Sequence, residues 1–214
     1  MGTLERRSRQ KDELRRKILA AATELFLEEG YQNVSMRKIA DRIEYAPSTI
    51  YLHFRDKVDL VASICMEAFA LLDERLDAII EQRLHPIETL RRCLREYVQF
   101  GLDHPASYVF VFCTPPRIFS DIDADTLQHV NRCGQGSFQR LRTGIQACMD
   151  YGSMPAADVE SAAQSTWLMT HGLTSGLVVD CGFPFIDRER LINDTLDRIL
   201  LAVGGQVIAL GKEL

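Results

Sequence analysis

The sequence predicts an all-α protein in which a three-helix helix-turn-helix head is joined by one long helix to a helical bundle. Three observations predict it. Apolar residues recur at three- and four-residue steps along most of the chain, the spacing of helices with one buried face. The run from Lys57 to about Gln82 contains no Pro or Gly, which suits a single rod about 39 Å long. The one strand-like segment, 106–113 (ASYVFVFC), has no legible partner strand, so a short buried helix is expected there.

The elements follow in order. Leu14, Ile18, Ala21, Ala22, Leu25 and Phe26 mark the first helix, and Gly30 stands where a C-cap favours glycine. Ser35 is a good N-cap for a second helix beginning at Met36. After a break at Glu44-Tyr45, a short helix restarts over Pro47–Phe54, with Ala46 in the N-cap slot and Pro47 in the first turn. Ile39, Ile43, Ile50 and Phe54 have the spacing to hold these two helices together. Asp56 caps the long helix, whose apolar positions include Leu60, Val61, Ile64, Leu72 and Leu76. Further helices are expected over 86–103, 125–151, 156–181 and 187–211, with 120–124 as loop and Gly182-Phe183-Pro184 as a turn. Residues 1–57 form the head and 58–214 the larger domain.

Composition narrows the class of activity. Hydrophobic residues make up 46% of the 214 and charged residues 26%, ordinary for a globular chain. No apolar run reaches the ~20 residues of a membrane helix, and MGTLERRSRQKDELRRK is too polar for a signal peptide, so a cytoplasmic location is expected. Six scattered cysteines without a C-x-x-C read as buried thiols, not as disulfides. His129 and Cys133 are i and i+4, but two ligands do not close a metal site, and no metal or cofactor is expected. No phosphate loop or catalytic constellation is legible, which argues against an enzyme.

Net charge is −5, yet the charge is unevenly placed. Residues 1–57 hold twelve Lys/Arg against nine Asp/Glu, a net of +3 that leaves −8 on the remainder. A basic head on an acidic body suits a duplex, because phosphate contacts dominate affinity. Two short helices joined by a tight turn at 35–60 (SMRKIADRIEYAPSTIYLHFRDKVDL) make a helix-turn-helix. A recognition helix leads with its N-terminal end, so Ala46, Pro47, Ser48 and Thr49 are the candidates for base edges. Ser35, Arg37, Tyr51, His53 and Lys57 are the candidates for flanking contacts, with phosphate contacts expected from Tyr51, His53 and Lys57. His53 also fits a capping role, and Arg6, Arg7, Arg9 and Lys11 fit either a solvated tail or an arm on DNA.

The run I-A, eight residues, then T-I-Y-L-H-F-x-x-K-x-x-L closely resembles the signature of the tetracycline-repressor (TetR) family, and ILAAATELFLEEGYQNVSMRKIA matches its preceding part. The resemblance covers about residues 12–65. Glu44 and Ala46 depart from the Gly and Ser that many members carry. Trp167-Leu-Met-Thr-His171-Gly172 resembles a W…HG motif of one branch. The resemblance implies a three-helix DNA-binding domain and a helical ligand-binding and dimerisation domain. It further implies a homodimer on a palindromic double-stranded operator, and a small-molecule effector that releases it.

Within the second domain, Tyr97, Phe100, Phe110, Phe112, Trp167 and His171 are the candidate pocket residues, with Tyr108 and Phe119 nearby in the pattern. His171 equally fits helix packing beside Gly172, Ser175 and Gly176. The stripe Ile192, Leu196, Ile199, Leu200, Val203 and Val207 is expected to face a second copy. Two rival readings stay open: a DNA-binding regulator without a small-molecule effector, and a helical enzyme or binding module.

Overall fold

The structure, a computed structural model of the 214-residue chain, describes residues 3–114, 122–179 and 182–204. Among them there is no strand. The helices are α1 (Thr3–Glu29), α2 (Met36–Arg42), α3 (Pro47–Tyr51), α4 (Lys57–Ile80), α5 (Pro86–Asp103), α6 (Pro105–Tyr108), α7 (Ala124–Asp150), α8 (Val159–Val178) and α9 (Arg188–Ala202). No described helix is long and apolar enough to cross a membrane. Phe119, Cys181, Val207 and residues 120–121 of the expected loop lie outside the described residues.

The chain divides into two compact units. One comprises Met1–Ala68 with Ala106–Asn131, and the other Phe69–Pro105 with Arg132–Leu214.

In the first unit, local chemistry sets each helix end. α1 starts at Thr3, so Arg6, Arg7, Arg9 and Lys11 are helical and exposed, not an extended tail. It stops at Gly30, whose φ of 82° is open to glycine at no steric cost. The Ser35 hydroxyl accepts from the Lys38 amide at 3.2 Å and caps α2. Asp56 does the same for the Asp59 amide at 2.8 Å, and the Asp59 carboxylate accepts from the Arg55 amide at 2.8 Å. Asp56 thus caps α4 while Asp59 ties down the residue before the cap, and both acids meet the positive end of the helix.

The core beneath α2 and α3 contains Ile18, Leu25, Ile39, Ile43, Ile50 and Phe54, with Leu60, Val61 and Ile64 of α4. The four residues expected to join the two short helices are therefore all buried. A π-helical turn, Val109–Cys113, follows α6 and delivers Phe110 into the same core. Its ring lies 5.5 Å from that of Phe26 at an interplanar angle of 20°. The first half of α4 and this turn thus complete the head's core, so the unit extends beyond residue 57.

In the second unit, Leu90, Leu94 and Val98 of α5 meet Ile145 of α7, Ala163 of α8 and the inner face of α9. Asp158 caps α8 through the Ser161 amide at 2.7 Å, which is why α8 begins at Val159 and not at 156. Arg91 pairs with Asp197 at 2.9 Å, and Arg140 with Asp77 at 2.7 Å and Asp73 at 3.0 Å. One expectation is overturned here. Ile192, Leu196, Ile199 and Leu200 are at most 2% exposed and pack inside their own chain, so they do not face a second copy.

Candidate nucleic-acid interface

The head presents α3 by fixing only one side of it. Ile50 and Phe54 are buried, while Ala46, Ser48, Tyr51 and Leu52 are exposed and Pro47 and Thr49 half-buried. Ala46 provides no side-chain cap, so Pro47 supplies the helical φ at N1 without an amide that would need one. The residues expected to approach bases thus lie on the side of α3 away from the core, apart from the half-buried pair. Leu52, not singled out from the sequence, is 78% exposed, more than any other large hydrophobic among the described residues. Its signal was the 3.6-residue turn itself, which sets it opposite Ile50 and Phe54.

The turn before α3 is strained. Glu44 has a φ of 61°, the left-handed region expected at the position where many family members carry glycine. The Tyr45 amide donates to Ala40 O at 3.0 Å and the Glu44 amide to Asp41 O at 3.2 Å, which hold the conformation in place.

Basic residues of the head sort into two groups. Lys38 pairs with Glu29, and Arg42 pairs with Glu28 at 2.6 Å and Glu24 at 3.9 Å, fastening α2 to α1. The Arg42 guanidinium holds the Glu28 carboxyl below the usual carboxylate range. Arg15 pairs with Glu67 at 2.9 Å and lies 4.5 Å over the Phe54 ring. Arg37, by contrast, is exposed and joins no ion pair among the described residues. Ser35 spends its hydroxyl on the α2 cap.

Lys57 has an internal role. Its ammonium donates to Tyr31 O at 3.0 Å and Val34 O at 3.3 Å and sits 3.9 Å from the Tyr31 ring centroid. One of its three donors is left for another acceptor. His53 is half-buried, and its enclosed Nδ1 meets no partner among the described residues. Burial, with Lys11 and Arg15 nearby, lowers its pKa.

Of the six candidate pocket residues, Tyr97, Phe100, Trp167 and His171 belong to the second unit, and Phe110 and Phe112 to the first. Tyr97 and His171 come together: the phenol oxygen lies 3.3 Å from His171 Nδ1, and the Trp167 ring stacks on that imidazole at 5.2 Å and 11°. Phe100 is fully buried in the same unit, 5.4 Å from the His104 ring. Phe110 belongs to the head's core, and Phe112 contacts Tyr108 at 5.1 Å in that unit. Phe110 is buried in that core, at 2% exposure. A buried hydroxyl escaped the sequence reading: Thr166 is 0% exposed and its Oγ1 has no partner among the described residues. Thr170 and Thr174, at four-residue steps, donate to Thr166 O and Thr170 O at 2.8 Å each.

Residues 18–64 match the family model for bacterial regulatory proteins of the tetR family, and residues 90–200 match that for the tetracyclin repressor-like C-terminal domain. The chain belongs to the TetR family. An HTH-type transcriptional regulator of Staphylococcus aureus is 32% identical over 94 residues, 44% of this chain and 51% of that protein. The chain thus spans about half the length of the curated relatives it matches. Among solved structures, FadR from Bacillus subtilis in complex with stearoyl-CoA has a TM-score of 0.72 at 22% identity, covering 89% of this chain and 98% of its own. AibR in complex with isovaleryl coenzyme A and operator DNA has a TM-score of 0.72 at 17% identity, covering 90% and 99%. At these identities the likeness is one of fold: a TetR-type head and a TetR-type helical domain.

Proposed function

We propose that this TetR-family protein is a sequence-specific DNA-binding transcriptional regulator, a repressor that a small-molecule ligand releases from a palindromic operator. One observation carries the reading. α3 is anchored in the head's core through Ile50, and through Phe54 just beyond its end, while Ser48 and Tyr51 stay exposed. Ala46, Pro47, Ser48 and Thr49 would meet base edges; Arg37, Tyr51, His53 and the spare donor of Lys57 would meet phosphates. Ser35 would act through the α2 cap. In functional terms residues 1–57 would grip the duplex, and residues 58–214 would sense the ligand and dimerise, inside the cytoplasm and without catalysis.

The dimer face would be the outer side of α8. Ser165, Leu168, Gly172 and Val179 are exposed there without a charge among them, beside exposed Phe183 and Ile186. Beyond its own stretch of α8, no described atom lies within 4 Å of where a Cβ would stand on Gly172, which leaves room for a neighbouring helix. Two such copies would set their recognition helices about 34–36 Å apart. Tyr97, Trp167 and His171 would be the polar end of the effector site. The effector can lower DNA affinity only through its different affinities for the two conformers.

Selection of duplexes from a random-sequence pool by the full-length protein tests this. Binding to a recovered palindrome should fall by about 0.9 log units per phosphate contact for each decade of salt. Isovaleryl-CoA and stearoyl-CoA, the ligands of AibR and FadR, are the first effector probes. No selectable duplex, or a flat salt response, would sink the reading.

A further inference from the structure

Leu52 stands out because its environment does not suit its chemistry. It is an aliphatic side chain that is 78% exposed. It is the C-cap of α3, held by the last turn: its amide donates to Thr49 O at 3.3 Å, and the Phe54 amide to Ile50 O at 3.0 Å. Its φ and ψ of −73° and −17° remain in the right-handed helical region, so the direction of its side chain still follows the helical turn. At about 100° per residue, Leu52 points about 180° away from the mean direction of Ile50 and Phe54, the two side chains that anchor the helix. Ser48 lies one turn earlier on the same side and is also exposed. The centre of the outward ridge is therefore one hydroxyl and one branched alkyl group, with Tyr51 and Thr49 on its flanks.

An alkyl group neither donates nor accepts, so Leu52 can hold neither a phosphate nor a hydrogen-bonding base edge. The major groove offers one apolar group, the C5 methyl of thymine. We infer that Leu52 is a specificity-determining residue that selects a thymine by burying its methyl group, with Ser48 reading the neighbouring base. The inference rests on the proposed DNA-binding function and adds a base identity to it.

Thymine-to-uracil scanning removes that methyl and nothing else. The full-length protein is given the duplex recovered from the random-sequence pool, and each thymine is replaced in turn by uracil while Kd is followed by fluorescence anisotropy. Burying one methyl predicts about fourfold weaker binding when uracil replaces the contacted thymine in one half-site, and about fifteenfold when both are replaced. Leu52→Ala should bind thymine and uracil duplexes alike, whereas Leu52→Met, still apolar, should keep the preference. Unchanged thermal unfolding of Leu52→Ala, expected for so exposed a site, excludes misfolding as the cause. Equal binding of thymine and uracil duplexes by the native protein, or a preference that survives in Leu52→Ala, overturns the inference while leaving DNA binding intact. Failure to recover any duplex overturns the DNA-binding reading, and this one with it.

Discussion

The ammonium of Lys57 sits 3.9 Å from the ring centroid of Tyr31 and donates to that residue's carbonyl at 3.0 Å and to Val34 O at 3.3 Å. The first residue of α4 is thereby locked onto the connection between α1 and α2. Lys57→Met keeps the alkyl stem but removes the cation and both hydrogen bonds. It should destabilise the protein by about 2 kcal/mol, a cation–π contact plus charged hydrogen bonds at a part-buried site. Denaturant titration checks this. A change within a few tenths of a kcal/mol would mean that Lys57 is a free surface charge.

Glu44 holds a φ of 61° in the turn that aims α3. A residue with a Cβ loses roughly 1–2 kcal/mol there, and glycine gives part of that back as unfolded-state freedom. Glu44→Gly should therefore gain about 0.5–1 kcal/mol in urea unfolding. Glu44→Val, β-branched, should lose stability at the same position.

Phe110 leaves the sequence neighbourhood of α5 and α6 to stack on Phe26 inside the head. Phe110→Ala should cost about 3–4 kcal/mol through the cavity it opens, and Phe110→Leu much less. Heteronuclear NMR of the Ala variant should shift amides around Phe26 and Tyr31, whose ring lies 5.4 Å from that of Phe26. Shifts confined to the surroundings of Trp167 would contradict the placement.

His171 is stacked on Trp167, and burial lowers its pKa from 6.5. Burial likewise lowers those of His53 and His104. For a base whose folded pKa is depressed, the unfolded chain binds more protons in the window below 6.5. The stability it contributes is then complete above pH 6.5 and is lost as pH falls through the folded value. Unfolding free energy measured from pH 7.5 down to 5 should decline, and His171→Gln should decline less steeply. Equal slopes would remove His171 from that window.

Sequence alone determined what depends on neighbours along the chain. Apolar residues at three- and four-residue steps defined the helices, and Ser35, Gly30 and Asp56 marked ends that hydrogen bonding and φ then realised. The helix-turn-helix was legible because Ile39, Ile43, Ile50 and Phe54 lie close in sequence and all serve one small core. Tertiary structure decided which partner covers each apolar surface. The α9 stripe announced burial, but its periodicity is the same whether a second copy or α5 lies against it; Ile192 and Leu196 turned inward. Phe110 was readable as buried, yet a π-helical turn and a distant Phe26 chose its core. Lys57 counted as a cation in the sequence and became a strut only when Tyr31 and Val34 were folded beside it. Local periodicity fixes the face a residue shares; the long-range packing that fills the face is set by the whole chain.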